Sequence, residues 1–374
     1  MHDIAVFGAT GFVGRLVAEY LAAHAGPEVT VALAGRSRDK LERTREALGR
    51  DWPLVVADSA DPGSLAALAR SARVVATTVG PYRKYGAALV DACIAEGAHY
   101  CDLTGEVLFV HDMLSRHERA AEAGVKIVHA CGFDSIPSDL GVLQLHAHAG
   151  PLGPTELVVT SLRGGFSGGT LASVKGQIDE ITRDKAARRI VFDPYALGGS
   201  GPPQPELRKV TRNPKHGWVG PFLMALYNTR IVQRSHSLLD YGPDFRYREI
   251  SRYPNPAAAV AVTTGMGALA AGLAFPPTRK LLDRVLPGPG DGPSEERRRN
   301  GSFRMEIHGA GRVVTVAAQG DPGYAATAMM LGESALSLAF DELPRRAGVL
   351  TPASALGLPL VARLQNAGMT FDVG

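Results

Sequence analysis

Ile4-Ala5-Val6-Phe7-Gly8-Ala9-Thr10-Gly11-Phe12-Val13-Gly14-Arg15-Leu16-Val17-Ala18-Glu19-Tyr20-Leu21 is the stretch whose reading decides the fold. Residues 4–7 are an apolar run of strand type, and Leu16, Val17, Tyr20 and Leu21 share one face of a helix. Between them the glycines fall at 8, 11 and 14. Gly8 allows a sharp exit from the strand, Gly11 lets backbone approach a pyrophosphate, and Gly14 lets the helix lie close on the strand. The helix N-terminus then offers unpaired N–H groups and a positive dipole end to phosphates. A glycine triplet alone is a weak signal, and its place between a strand and a helix makes it a dinucleotide turn. Gly8, Thr10, Gly11, Phe12, Val13 and Gly14 are therefore the candidate diphosphate-binding residues.

The second apolar run, Val29 to Ala34, ends in Gly35-Arg36-Ser37-Arg38. A site for NAD places an acidic residue near this point, where it accepts from the ribose 2′-hydroxyl. Arg36, with Ser37 and Arg38 beside it, suits a 2′-phosphate instead. The expected cofactor is NADP(H). The plainer reading is that these are solvated charges opening a helix.

The chain alternates strands with helices as far as Cys131: strands at 54–57, 74–79, 99–103 and 125–131, helices at 40–48, 64–69, 85–96 and 111–123. That order implies a doubly wound parallel sheet covered on both faces, of Rossmann type. Ligands of such sheets sit beyond the carboxyl ends of the strands. The candidate residues there are Asp58, Val79-Gly80-Pro81-Tyr82, Asp102 to Glu106, and Gly132 to Ser135. Asp58 either accepts from the adenine amine or caps a turn. Val79, Gly80 and Pro81 run beside the nicotinamide ribose, and Tyr82 then aims its hydroxyl at the ring. Asp102, Glu106 and Asp134 place three carboxylates at one rim, for substrate binding or proton relay, unless they cap turns. Tyr82, Asp102 and Glu106 are the candidate catalytic residues, with Tyr82 first.

Gly8 to Gly14, Gly35-Arg36-Ser37, Val79 to Tyr82, Tyr100 to Glu106 and Cys131-Gly132-Phe133-Asp134-Ser135-Ile136-Pro137-Ser138-Asp139 together resemble the saccharopine dehydrogenase-like oxidoreductases. Within that family the chain is most similar to the mycobacterial trans-acting enoyl reductases, a likeness that extends to Gly348-Val349-Leu350-Thr351-Pro352-Ala353-Ser354-Ala355. It covers the first 145 or so residues and the last 70, and the middle matches loosely. The resemblance implies an NADPH-dependent enzyme. It also implies reduction of an enoyl thioester held on the carrier protein of a polyketide synthase, during cell-envelope lipid synthesis. Reduction of an imine, as in the amino-acid branch, is the alternative within the family, with Arg163 to grip a carboxylate. An NADP-binding, lipid-associated protein without turnover is the alternative outside it.

Composition bounds these readings. The chain has 374 residues, which suggests more than one domain. A division at 1–145, 146–320 and 321–374 is expected: a nucleotide-binding domain, an α+β substrate and dimerisation domain with an antiparallel sheet, and terminal helices packing back on the first. The net charge of +3 gives no case for nucleic acid. Cys93, Cys101 and Cys131 have no metal-ligand spacing and form no even disulfide set. No metal is expected. Met1-His2-Asp3 runs straight into the first strand, so a cytoplasmic protein is expected.

The middle holds two further features. Arg163 to Thr170 is a second glycine-rich loop entering a helix, read as an anion site or a flexible helix entry. Ala257 to Phe275 is 19 residues without a charge. It is read as a buried or dimer helix first, as a lipid-surface helix second and as a membrane span third. A homodimer, and a peripheral place at the inner face of the plasma membrane, are the matching expectations.

Overall fold

The structure is a computed structural model that describes residues 1–164, 168–205, 209–282, 284 and 294–374. Among these, fourteen strands form two sheets. In chain order they are β1 (His2–Phe7), β2 (Val31–Gly35), β3 (Leu54–Val56), β4 (Ala72–Thr77), β5 (His99–Asp102), β6 (Lys126–Val128) and β7 (Pro154–Arg163). There follow β8 (Thr211–Asn213), β9 (Gly217–Pro221), β10 (Arg246–Tyr253), β11 (Ser302–Gly309), β12 (Arg312–Gln319), β13 (Gly348–Leu350) and β14 (Thr370–Val373).

The first sheet is parallel in the order β13-β6-β5-β4-β1-β2-β3. Ile4, Val6, Leu33 and Val74 are fully buried on one face and Ala5, Ala32, Ala34 and Val75 on the other, as strands covered on both faces must be. Local chemistry stops and starts its helices. The Asp61 side chain caps Pro62–Ser71, and Gly97, in the left-handed region, closes Ala87–Glu96. Strand order reverses between β1 and β4, whose carboxyl ends Phe7 and Thr77 lie side by side. The ligand crevice of such a sheet opens there.

The second sheet runs β14-β12-β11-β7-β10-β9-β8. It is antiparallel except for β7 and β10, which are parallel. The helix Ala225–Leu239 lies between those two strands in the chain and packs on β10, so a crossover, not a hairpin, joins them.

The carboxyl-terminal segment differs from the expected run of helices. The helix Thr327–Phe340 packs on β4, β5 and the first helix, Phe12–His24. It is preceded by a wide turn, Pro322–Ala326, where Asp321 caps Gly323 and the Thr327 hydroxyl donates to the Pro322 carbonyl. Residues 348–350 then add a seventh strand to the parallel sheet, and residues 370–373 close the edge of the second. Gly165-Phe166-Ser167 of the second glycine-rich loop, and residues 287–293, lie outside the described residues.

Residues 256–274 form one helix, as the uncharged stretch predicts. The expectation that it is buried is corrected. Only Ala259 and Leu273 are buried, because one narrow stripe meets β9, β10 and the helix Gly168–Arg183 and the opposite side faces outward.

Candidate active site at the carboxyl edge of the parallel sheet

The glycine turn closes on itself. Gly8 has φ +91°, and the Gly11 amide donates to the Gly8 carbonyl at 2.9 Å. A Cβ at Gly14 would lie 2.0 Å from the Gly8 carbonyl oxygen, so no larger residue fits there. A Cβ at Gly11 would meet only that same oxygen, at 3.3 Å, and otherwise open space. Gly11 is the N-cap of the helix Phe12–His24 and brings no side chain to its free N–H groups. The turn therefore presents bare backbone donors to the crevice, the donor set a pyrophosphate requires. Val13 lies in the first helical turn, and the Phe12 ring packs edge-on against Tyr324 at 5.1 Å, tying the turn to the carboxyl-terminal segment.

Thr10 reaches the end of β2, where its hydroxyl lies 3.7 Å from the position of a Cβ on Gly35. Arg36 follows, exposed, with no hydrogen bond or ion pair to its side chain among the described residues. Ser37 is partly committed, since its hydroxyl caps the next helix at Lys40. Arg38 pairs with Glu42 at 3.1 Å, an exposed contact that is easily exchanged. Asp58 accepts from the Ala60 amide at 2.9 Å, so its carboxylate closes a turn. Bare turn donors and an unpaired guanidinium fit the diphosphate and the 2′-phosphate of NADP(H). Val79 is half-buried, and a Cβ at Gly8 would touch it, which brings the exits of β1 and β4 together. Gly80 and Pro81 continue along the same rim.

The three expected catalytic residues are engaged inside the protein. The buried Tyr82 hydroxyl donates to the Thr77 carbonyl at 3.2 Å and accepts from the Leu103 amide at 3.2 Å. It is not aimed into the crevice. Its burial, and then the Asp102 charge, push its pKa well up. Asp102 is fully buried rather than at the rim. It accepts from Tyr100 at 2.8 Å, the Thr104 and Ala130 amides at 3.0 Å and His129 Nδ1 at 2.7 Å. Those donors converge from β5, the loop after it and the exit of β6, so the carboxylate pins two strand ends. Glu106 accepts from the Tyr82 and Arg83 amides at 3.0 and 2.8 Å and from Ser173 at 2.7 Å. It caps a short helix and joins it to the helix Gly168–Arg183, with burial raising its pKa. Gln177 of that helix donates to the Gly105 carbonyl at 3.1 Å. Glu106, Ser173 and Gln177 line a cavity of about 210 Å³ with Pro81 and Arg83.

Asp134 is different. Its carboxylate lies against Gly105, where a Cβ would be 3.3 Å away, and it has no hydrogen bond or ion pair among the described residues. Burial pushes its pKa up to about 6. The Tyr227 hydroxyl, on the helix Ala225–Leu239, is buried without a hydrogen-bond partner among the described residues and lies within the fields of Asp102 and Asp134. His129 Nε2 is likewise buried and unpartnered. Sequence reasoning passed over His129 because β6 was read through to Cys131. The strand ends at Val128, and Ala130 turns the chain at φ +64°. Tyr227 and Phe222 are both buried.

The stretch 131–139 welds the two sheets together. Ser135 donates to Asn228, which donates to Ser138 and to Glu249 at 3.3 and 3.0 Å. Asp139 accepts from Ser235 and from the Ala353 amide. Burial pushes both Asp139 and Glu249 up to about 7. Among the described residues no cluster of His, Cys, Asp and Glu has metal-site geometry.

Comparison with known proteins agrees with this geometry. Residues 4–128 match the family model described as the saccharopine dehydrogenase NADP binding domain. A Mycobacterium tuberculosis protein provisionally named a trans-acting enoyl reductase is 46% identical over 408 aligned positions, covering 99% of this chain and 97% of that one. A Mycobacterium bovis protein named trans-acting enoyl reductase is 41% identical with the same coverage. A saccharopine dehydrogenase of Saccharomyces cerevisiae, solved in its apo form, aligns over 100% of this chain and 99% of its own, with a TM-score of 0.57 and 13% identity. That last likeness is one of fold.

Proposed function

This chain belongs to the trans-acting enoyl reductase family, an NADP-dependent oxidoreductase group, and we propose that it reduces the double bond of an enoyl thioester carried by a polyketide synthase. The observation that carries the reading is near-full-length identity above 40% to proteins of that name, joined to an exposed Arg36 where a 2′-phosphate would be held. Bound at the glycine turn, NADPH supplies a hydride to a conjugated thioester.

This chain's own residues must then do three things. The Gly11 turn and Arg36 hold the diphosphate and the 2′-phosphate. The Glu106–Ser173 and Gly105–Gln177 contacts hold the cover helix Gly168–Arg183 over the rim, which limits water. A group with a proton to give must face the α-carbon. Asp134 fits that task better than Tyr82, because it is free of internal partners and its raised pKa keeps part of it protonated near neutrality. Asp102 and Glu106 act as positioning residues.

The test is consumption of NADPH with trans-enoyl pantetheine thioesters of graded length, beside a keto-acid and amine pair. Turnover of the thioesters alone is expected. Turnover of the keto-acid pair, lost on Arg163→Ala, would assign the protein to imine chemistry instead. Tight NADPH binding without turnover of either would remove the enzyme reading.

A further inference from the structure

We propose that the outer face of the helix Pro256–Ala274, with the helix Pro276–Leu282 after it, docks on an anionic lipid bilayer. The longer helix carries no charged residue. It is anchored along its length, by Ala259 near its start, by Thr263 against Gly220 of β9, and by Leu273 near its end. A helix so fixed to a sheet lies along a surface and does not cross one. Its opposite side is open. Ala257, Ala261, Thr264, Ala268 and Phe275 lie on it and are exposed, Phe275 at 59%; Val260, 52% exposed, and Val262, 45%, sit on its two flanks, and Leu281 of the following helix is 62% exposed. A Cβ at Gly265 or Gly267 would meet nothing within 4 Å.

The surrounding charge selects the partner. Between residues 252 and 284 the charged residues are Arg252, Arg279, Lys280, Asp283 and Arg284. Arg279 pairs with Asp179 of the helix Gly168–Arg183 at 2.8 Å, and the next acid on that helix, Glu180, pairs with Arg83. Arg252, Lys280 and Arg284 are exposed and make no ion pair among the described residues. Cations therefore flank an apolar strip, the arrangement that binds a negatively charged interface. A second copy of the chain is a poorer occupant. At 1.5 Å per residue the strip is roughly 28 Å long and about 10 Å wide, roughly 300 Å² per partner, against the ~800 Å² per partner of stable interfaces.

The experiment is flotation of the full chain with phosphatidylcholine vesicles, with and without phosphatidylglycerol. The protein is expected to float with the anionic vesicles only. Lys280→Glu with Arg284→Glu should cut the bound fraction about tenfold or more, and Phe275→Ser with Leu281→Ser should do the same, all variants keeping their NADPH affinity. Failure of an NADPH-binding protein to float with either vesicle would overturn the proposal. So would equal flotation on neutral vesicles, or a dimer in solution that Gly265→Leu disrupts. None of these readouts depends on turnover, so they stand apart from the enoyl reading.

Discussion

Replacing Arg36 with alanine should weaken NADPH and leave NADH untouched. The size of the effect follows from the surroundings. A guanidinium–phosphate hydrogen bond contributes about 1.5–3 kcal/mol. Arg36 is exposed, so solvent screens it and the lower end applies. About 1.4 kcal/mol is a factor of ten in Kd. Arg38 limits the loss further, because its exposed pair with Glu42 is held by only about 0.3–0.5 kcal/mol and the side chain can turn to the phosphate. Arg36→Ala alone should therefore raise the NADPH Kd about tenfold, and the double change with Arg38→Ala about a hundredfold. Isothermal titration with NADPH and NADH at fixed ionic strength reads both. An unchanged NADPH Kd, or an equal loss for both coenzymes, would refute the reasoning, since either result means no contact specific to the 2′-phosphate.

The turn itself separates folding from binding. Gly14→Ala forces a Cβ to 2.0 Å from a carbonyl oxygen and should lower Tm by several degrees or abolish folding, whereas Gly11→Ala should keep Tm and weaken NADPH and NADH alike. Asp134→Asn should lower kcat at least tenfold with little change in KM for NADPH, and should remove a fall in rate as pH rises through about 6. Asp139 and Glu249 have folded-state pKa values near 7, raised from the ordinary carboxylate range, so the folded state binds more protons than the unfolded one between about pH 4 and 7. Their contribution to stability is then full below about pH 4 and is lost as pH rises through 7. Thermal melts of Asp139→Asn and Glu249→Gln across that range should show a shallower decline than the parent protein.

The parallel sheet was legible because its signals are local. Gly8, Gly11 and Gly14 mark the turn within seven residues, and Arg36 sits where the next strand ends. The misread elements are those whose causes are distant. Asp102 looks like a rim carboxylate from its own neighbours, yet His129 and the Ala130 amide reach it from 27 and 28 residues away. Tyr82 looks free until the Leu103 amide, 21 residues on, claims its hydroxyl. Residues 348–350 are too short to announce a strand, and only β6 beside them makes one. Asp134 carried no mark beyond its place after a strand, because what distinguishes it is the partner it lacks.

The most direct measurement uses NADPH deuterated at the transferring carbon of the nicotinamide, mixed with a trans-enoyl pantetheine thioester and the purified protein. Mass analysis of the product locates the label. One deuterium at the β-carbon and a solvent hydrogen at the α-carbon are expected. Unlabelled thioester recovered beside intact NADPH, from protein shown to bind the coenzyme, would contradict it.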